Sequence, residues 1–171
     1  MRPLAKTDYS RGHFKVLSVL TAVPDVSPEQ YVQAFYSLKS APNTYFTLVI
    51  VNKANDQIVG VGNVFIEQKF IRGLGKVGHI EDIAVDKNVQ GRKLGLRVIQ
   101  ALTTISERMG AYKTILNCSD HNIRAFILDS SIAAPNNFLP AFYQKCGFEK
   151  KENEMALYHN KPASNVILTR L

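Results

Sequence analysis

The sequence predicts an α/β fold built on one mixed sheet. Three observations lead there. A strand–helix–strand unit runs from Val77 to Cys118, with the length of a parallel crossover. Two β-branched and aromatic runs, Tyr45 to Val51 and Gln57 to Phe70, are joined by a turn at Asn55-Asp56 and form a hairpin. Two helical patterns precede the hairpin.

The elements follow in order. Asp8 to Leu20 reads as a helix, with Asp8 or Ser10 as its cap and Phe14, Leu17 and Leu20 at helical spacing. Ser27 to Gln30 opens a second helix: Ser at N-cap, Pro at N1 and Gln at N3 make a capping box. Tyr31, Phe35 and Leu38 form its apolar stripe. After the hairpin, Gly73 and Gly75 mark a turn, and Val77 to Val85 is a strand. Gln90 to Met109 is an amphipathic helix, with Leu94, Val98, Ala101, Leu102 and Ile105 on one face. Gly110 closes it. Tyr112 to Cys118 is a strand, Asn122 to Cys146 mixes its signals, and Phe148 to Tyr158 reads as a last strand. Residues 1–159 make one domain and 160–171 a tail.

The bulk properties narrow the function. The 171 residues are 46% hydrophobic and 20% charged, as in a soluble globular domain. No apolar run reaches the roughly 18 residues of a membrane span. The N-terminus, MRPLAKTDYSRGHFKVL, lacks the apolar core of a secretory signal, so a cytoplasmic location is expected. Cys118 and Cys146 are too few for a disulfide framework and read as reduced, buried thiols. The net charge is +7, but its cations are scattered, and no nucleic-acid motif accompanies them. Small polyanionic ligands fit such a distribution better than nucleic acid does.

One passage carries chemistry. The strand ending at Val85 runs through Asp86 to Val89 into the helix beginning near Gln90. A helix start presents unpaired N–H groups and partial positive charge. Gly91 and Gly95 permit close approach, and Arg92 and Lys93 add cations. Such a helix start suits a phosphate or pyrophosphate. On these residues alone the ligand is any phosphorylated cofactor. The loop is neither GxxxxGK[ST] nor GxGxxG, which disfavours a P-loop or a Rossmann site.

Gln90, Gly91 and Gly95 resemble motif A of the GNAT acetyltransferases, [QR]-x-x-G-x-[GA], with Lys93 where the inner glycine is most usual. EQKFIRGLGKVGHIEDIAV, GAYKTILNCSDHN and FYQKCGF further resemble the glucosamine-6-phosphate N-acetyltransferase family, from Arg2 to about Tyr158. The resemblance implies a GNAT fold. It implies acetyl-CoA as co-substrate, no metal, glucosamine 6-phosphate as acceptor and a homodimer. The product would be N-acetylglucosamine 6-phosphate, on the way to UDP-N-acetylglucosamine.

Site residues follow from the same resemblance. Ile83, Ala84, Val85, Gln90, Gly91, Arg92, Lys93, Leu94, Gly95, Asn122 and Tyr143 would hold acetyl-CoA. Thr21, Lys69, Phe70, Ile71, Arg72, Glu81, Asp82, Tyr112, Lys113, Asn117 and Tyr158 would meet the sugar phosphate. The strand at Glu81-Asp82-Ile83 would splay from its neighbour to admit the thioester. The Ile83 N–H would polarise the carbonyl, as in an oxyanion hole. Glu81 and Asp82 would orient the sugar, on side chains that alternate faces. Tyr143 would protonate the leaving sulfur; a phenol near pKa ~10 suits a thiol near ~8.5.

The chain departs from the family pattern in four further places. Arg72 replaces a usual His, as a good phosphate fork. Asn117 replaces a usual acid, and an amide cannot act as a base. The N-terminal strand is cut short. An insertion near 124–140 separates Asn122 from Tyr143, and reads as a retained intron or as a surface loop over the cofactor cleft. Rival readings are a GNAT enzyme for another amine and a catalytically impaired coenzyme A-binding protein.

Overall fold

The computed structural model describes residues 1–117, 143 and 146–149. Its strands are β1 (Arg2–Pro3), β2 (Tyr45–Asn52), β3 (Gln57–Gln68), β4 (Lys76–Val85) and β5 (Ala111–Leu116). Its helices are α1 (His13–Leu17), α2 (Pro28–Lys39), a four-residue turn α3 (Ile71–Leu74) and α4 (Leu94–Arg108). The strands lie in the order β1-β2-β3-β4-β5. The first four are antiparallel, and β5 joins β4 in parallel through α4. This is the mixed sheet that the sequence predicts. Asn122, Tyr158, Cys118, the 124–140 interval, the strand expected from Phe148 to Tyr158 and the tail lie wholly or largely outside the described residues.

Each face of the sheet has its own apolar cluster. On one, Leu48, Val64, Ile66, Ile80 and Ile83 meet Val98, Ile99 and Leu102 of α4. On the other, Val49, Ile58, Val61 and Ala84 meet Val16 of α1. The stripe of α4 thus buries the face that its period marks. The approach of α4 to the sheet is close at Gly78. A Cβ there would lie 2.0 Å from Ser106 Oγ and 2.8 Å from Ser106 Cβ. Ser106 is buried and accepts a hydrogen bond from Thr114 Oγ1 of β5 at 2.7 Å, so it has little room to yield. Gly78→Ala is expected to cost about 2 kcal/mol by overpacking. Thermal unfolding followed by circular dichroism should show a midpoint roughly 4–8 °C lower.

The capping box of α2 forms as expected. Ser27 Oγ accepts from the Gln30 N–H, and Gln30 Oε1 accepts from the Ser27 N–H at 2.8 Å. The first helix does not match its expected span. It covers only His13–Leu17, with left-handed Gly12 at its N-cap. Neither Asp8 nor Ser10 caps it. Asp8 is drawn into a tertiary ion pair instead: its carboxylate accepts from Arg2 Nη1 and Nη2 at 2.7 and 2.6 Å and from the Ala5 N–H at 2.8 Å. A buried two-point ion pair is worth more to this carboxylate than an exposed cap.

Burial pushes the Asp8 carboxyl up, but the Arg2 and Ala5 donors, with Arg11, outweigh it and hold it below the ordinary carboxylate range. His13 is also buried, hydrogen-bonded through Nδ1 to the Tyr31 hydroxyl at 3.0 Å. Burial pushes its imidazole below the ordinary histidine range, partly opposed by Asp8 and Asp82. Both groups bind protons more readily in the unfolded chain. Stability is therefore full near neutral pH. It should fall first below about pH 6.5 through His13, and further below about pH 4 through Asp8. Urea midpoints measured between these limits check the order.

Candidate active site

The ladder between β4 and β5 ends at Ile80, opposite Leu116. Beyond Leu116 only Asn117 of this segment is described, so the pairing of Glu81 and Asp82 toward β5, and with it the expected splay, lies outside the described residues. On its other side β4 breaks step with β3. Val61 pairs with Ala84, but Asn63 pairs with Glu81, so Asp82 and Ile83 together face one residue. This is a β-bulge, and Asp82 carries its left-handed backbone, φ 54°.

The bulge corrects one expectation. Glu81 and Asp82 do not simply alternate faces. Glu81 lies opposite Asn63, and Asn63 Nδ2 donates to Asp82 Oδ2 at 2.8 Å. Both acidic residues are thus gathered beside Asn63. Ile83 is turned into the α4 cluster, while Ala84 joins the α1 cluster.

After β4, the Asp86 side chain accepts from the Asn88 N–H at 2.9 Å and starts a 3₁₀ turn at Lys87–Val89. Gln90 Nε2 donates to the Val85 carbonyl at 3.4 Å, which ties the loop to the strand end. The helix expected from Gln90 begins only at Leu94. Gly91 (φ 79°) and Lys93 (φ 57°) are left-handed, which postpones regular helix by about a turn. Lys93 makes no side-chain cap, so no N-cap side chain occupies the first amides of α4. A left-handed backbone at Lys93 also accounts for glycine being usual there. Gly91, Arg92 and Lys93 are exposed, and Gly95 is buried.

The sugar-phosphate residues expected from the sequence divide into two groups. Strand β3 ends at Gln68, not Phe70, so Lys69 to Arg72 lie on the connection to β4. Arg72 lies 5.7 Å from the centre of the Tyr112 ring, a cation–π contact that brings two of them together. Lys113 is exposed next to Tyr112. Lys69 is not a free cation: its Nζ pairs with Glu67, whose other oxygen is 2.8 Å from His79 Nε2. Lys69 and then His79 hold the Glu67 carboxyl below its ordinary range. Phe70 is 96% exposed and Ile71 65%, so neither is part of a formed pocket. Thr21 is exposed after α1, and Asn117 is exposed just beyond β5.

Tyr143 is helical and half-buried, packed with Cys146 and Phe148 against the cluster that contains Ile83. Its carbonyl accepts from the N–H groups of Cys146 and Phe148, both at 3.0 Å, and left-handed Gly147 (φ 87°) closes the turn. Burial pushes the Cys146 thiol up, away from nucleophilic use. The sequence reading assigned no individual role to Asn63, Glu67 or His79. Their signal was polar side chains on inward-reading strands, beside the acidic pair. No group of three or more potential ligands is placed to hold a metal ion among the described residues. No described helix is long and apolar enough to cross a membrane.

A family model, acetyltransferase (GNAT) family, matches residues 16–148. The chain belongs to the GNAT acetyltransferase family. Among relatives of this GNAT chain, glucosamine 6-phosphate N-acetyltransferase 1 of Dictyostelium discoideum is 38% identical over 94% of this chain and 91% of its own length. Glucosamine 6-phosphate N-acetyltransferase of Candida albicans is 37% identical over 90% and 91%. The crystal structure of glucosamine-6-phosphate N-acetyltransferase from Arabidopsis thaliana superposes with a TM-score of 0.80 at 33% identity, covering 93% of this chain and 97% of that one. An acetyltransferase of Trypanosoma brucei gives 0.76 at 31% identity, over 92% and 96%.

Proposed function

We propose that this GNAT protein transfers acetyl from acetyl-CoA to the amine of glucosamine 6-phosphate, giving N-acetylglucosamine 6-phosphate. The observation that carries the reading is the left-handed bulge at Asp82, set one short loop before a helix start with no side-chain cap. Relatives so named, at 37–38% identity over nearly the whole chain, support the choice of acceptor.

The chemistry is direct attack of a neutral amine on a thioester. A C–N bond forms and the C–S bond breaks; the attacking nitrogen gives up one proton to solvent and the departing thiolate takes one. The donors at Gly91 to Gly95, with Arg92 and Gln90, hold the pyrophosphate of the coenzyme. Ala84 and Val85 line the strand edge beside its pantetheine arm. The Ile83 N–H, next to the bulge at Asp82, is assigned to the acetyl oxygen, where it would stabilise the charge that develops. Glu81 and Asp82 orient the amine and hydroxyls. Tyr143 gives its proton to the sulfur. Arg72, steadied on Tyr112, takes the sugar phosphate with Lys113. Lys69 contributes from within its pair with Glu67. By family resemblance Thr21, Asn117 and Tyr158 are assigned to the sugar phosphate and Asn122 to acetyl-CoA. Such an enzyme works in the cytoplasm, as a homodimer, in supply of UDP-N-acetylglucosamine. The exposed Phe70, Ile71 and Leu74 beside Arg72 supply an apolar surface for the second copy.

Thiol release is the test. The protein is incubated with acetyl-CoA and glucosamine 6-phosphate, and free thiol is followed with a chromogenic disulfide. Turnover is the expected result. Release only with another amine moves the substrate within the family. Coenzyme A binding without release on any amine makes the chain an impaired binding protein.

A further inference from the structure

We infer that Asn63 is a positioning residue for the acidic pair, and that it is placed there for function rather than for folding. The inference rests on the site reading above. Asn63 stands on β3 directly opposite Glu81, and its Nδ2 donates to Asp82 Oδ2 at 2.8 Å. Its other polar atom, Oδ1, is buried and has no hydrogen-bond partner. An apolar residue of the same shape would remove that unmatched acceptor at little cost to the fold. Asn63 is half-buried, and its same-face neighbours on β3 are the buried Val61 and the half-buried Phe65. The buried, unmatched Oδ1 is a cost that an apolar side chain there would not carry.

What it does is visible in the bulge. Asp82 is a non-glycine residue with φ 54°, a backbone that needs support from its surroundings. Asn63 ties the Asp82 carboxylate across the sheet and so fixes the residue that breaks the alternation of β4. That one tether sets three things together. It holds Asp82 beside Glu81, it keeps Ile83 turned into the α4 cluster, and it fixes the peptide between Asp82 and Ile83. Loss of the tether should therefore disturb the acceptor side of the reaction more than coenzyme binding. The loop at Gln90 to Lys93 is anchored separately, through Gln90 to the Val85 carbonyl.

The test uses Asn63→Leu, Asn63→Ala and Asp82→Ala in the full-length protein. Asn63→Leu is expected to keep or raise the thermal midpoint while lowering kcat/KM for the amino sugar phosphate about 10–100-fold. The KM for acetyl-CoA should stay within about two-fold. In an Asp82→Ala background, Asn63→Ala should add almost nothing, because the two act as one unit. A merely structural residue would instead lower the midpoint and add its effect in full. A further readout does not depend on turnover: the Asp82 backbone 13Cα and 15N resonances, which report its left-handed backbone, should move in Asn63→Ala. If glucosamine 6-phosphate is not acetylated, the function reading fails while these resonances still decide the role of Asn63. Unmoved resonances, or kinetic constants within about two-fold of the parent in Asn63→Leu, would overturn the inference.

Discussion

Tyr143→Phe is expected to lower kcat about 100-fold or more, with the acetyl-CoA dissociation constant unchanged within about two-fold. The substitution removes one hydroxyl and keeps the ring. The ring is what packs against the cluster of Ile80, Ile83, Ile99 and Leu102, so the local fold should persist. In the proposed mechanism the hydroxyl supplies the proton to the departing thiolate, a contribution typically of 10²–10⁴-fold for a positioned acid. A packing role and an acid role therefore separate cleanly. Single-turnover thiol release measures the chemical step, and isothermal titration with coenzyme A measures binding. Unchanged turnover would remove Tyr143 from the mechanism and leave it as a core aromatic.

Arg2→Ala is expected to destabilise the fold by about 3 kcal/mol, a large effect for a residue at the very start of the chain. The reason is an asymmetry in burial. The Asp8 side chain is 0% exposed, whereas that of Arg2 is 37% exposed. Removing the arginine leaves the carboxylate buried, with the Ala5 N–H at 2.8 Å and only a longer contact to Arg11 at 3.5 Å. Truncating the partner of a buried charge costs far more than the pair itself contributes. Asp8→Asn should cost less, because the arginines left behind can be hydrated and an amide still accepts from Ala5. Urea unfolding checks both, with a lower midpoint and an unchanged slope. Loss of stability in Arg2→Ala no greater than in Asp8→Asn would refute the asymmetry.

Both predictions depend on features that the sequence shows unequally. FYQKCGF marked Tyr143 through its resemblance, and Gly147 then closes its turn with φ 87°. Nothing local marks Asp8 as the partner of Arg2. An acid before an apolar period reads as a cap, and only the folded chain reveals a better partner six residues back. The same competition shortened the first helix to His13–Leu17.

By itself the sequence determined the mixed sheet, the order of its elements and the α2 capping box, and it singled out the stretch from His79 to Gly95 as the candidate seat of chemistry. These are properties of local pattern: periodicity, capping and turn residues act over a few neighbours, and a specific motif carries its own context. Only the tertiary structure decided how that stretch is shaped. The bulge at Asp82 exists because β3 and β4 pair out of step, and register is a property of two strands. The late start of α4 follows from left-handed Gly91 and Lys93, the latter a residue whose type does not announce that backbone. Asn63 entered the site, and Lys69 was found engaged with Glu67, through contacts across the sheet. Pairing between strands distant in sequence is written in no single segment, and here it places the acidic pair.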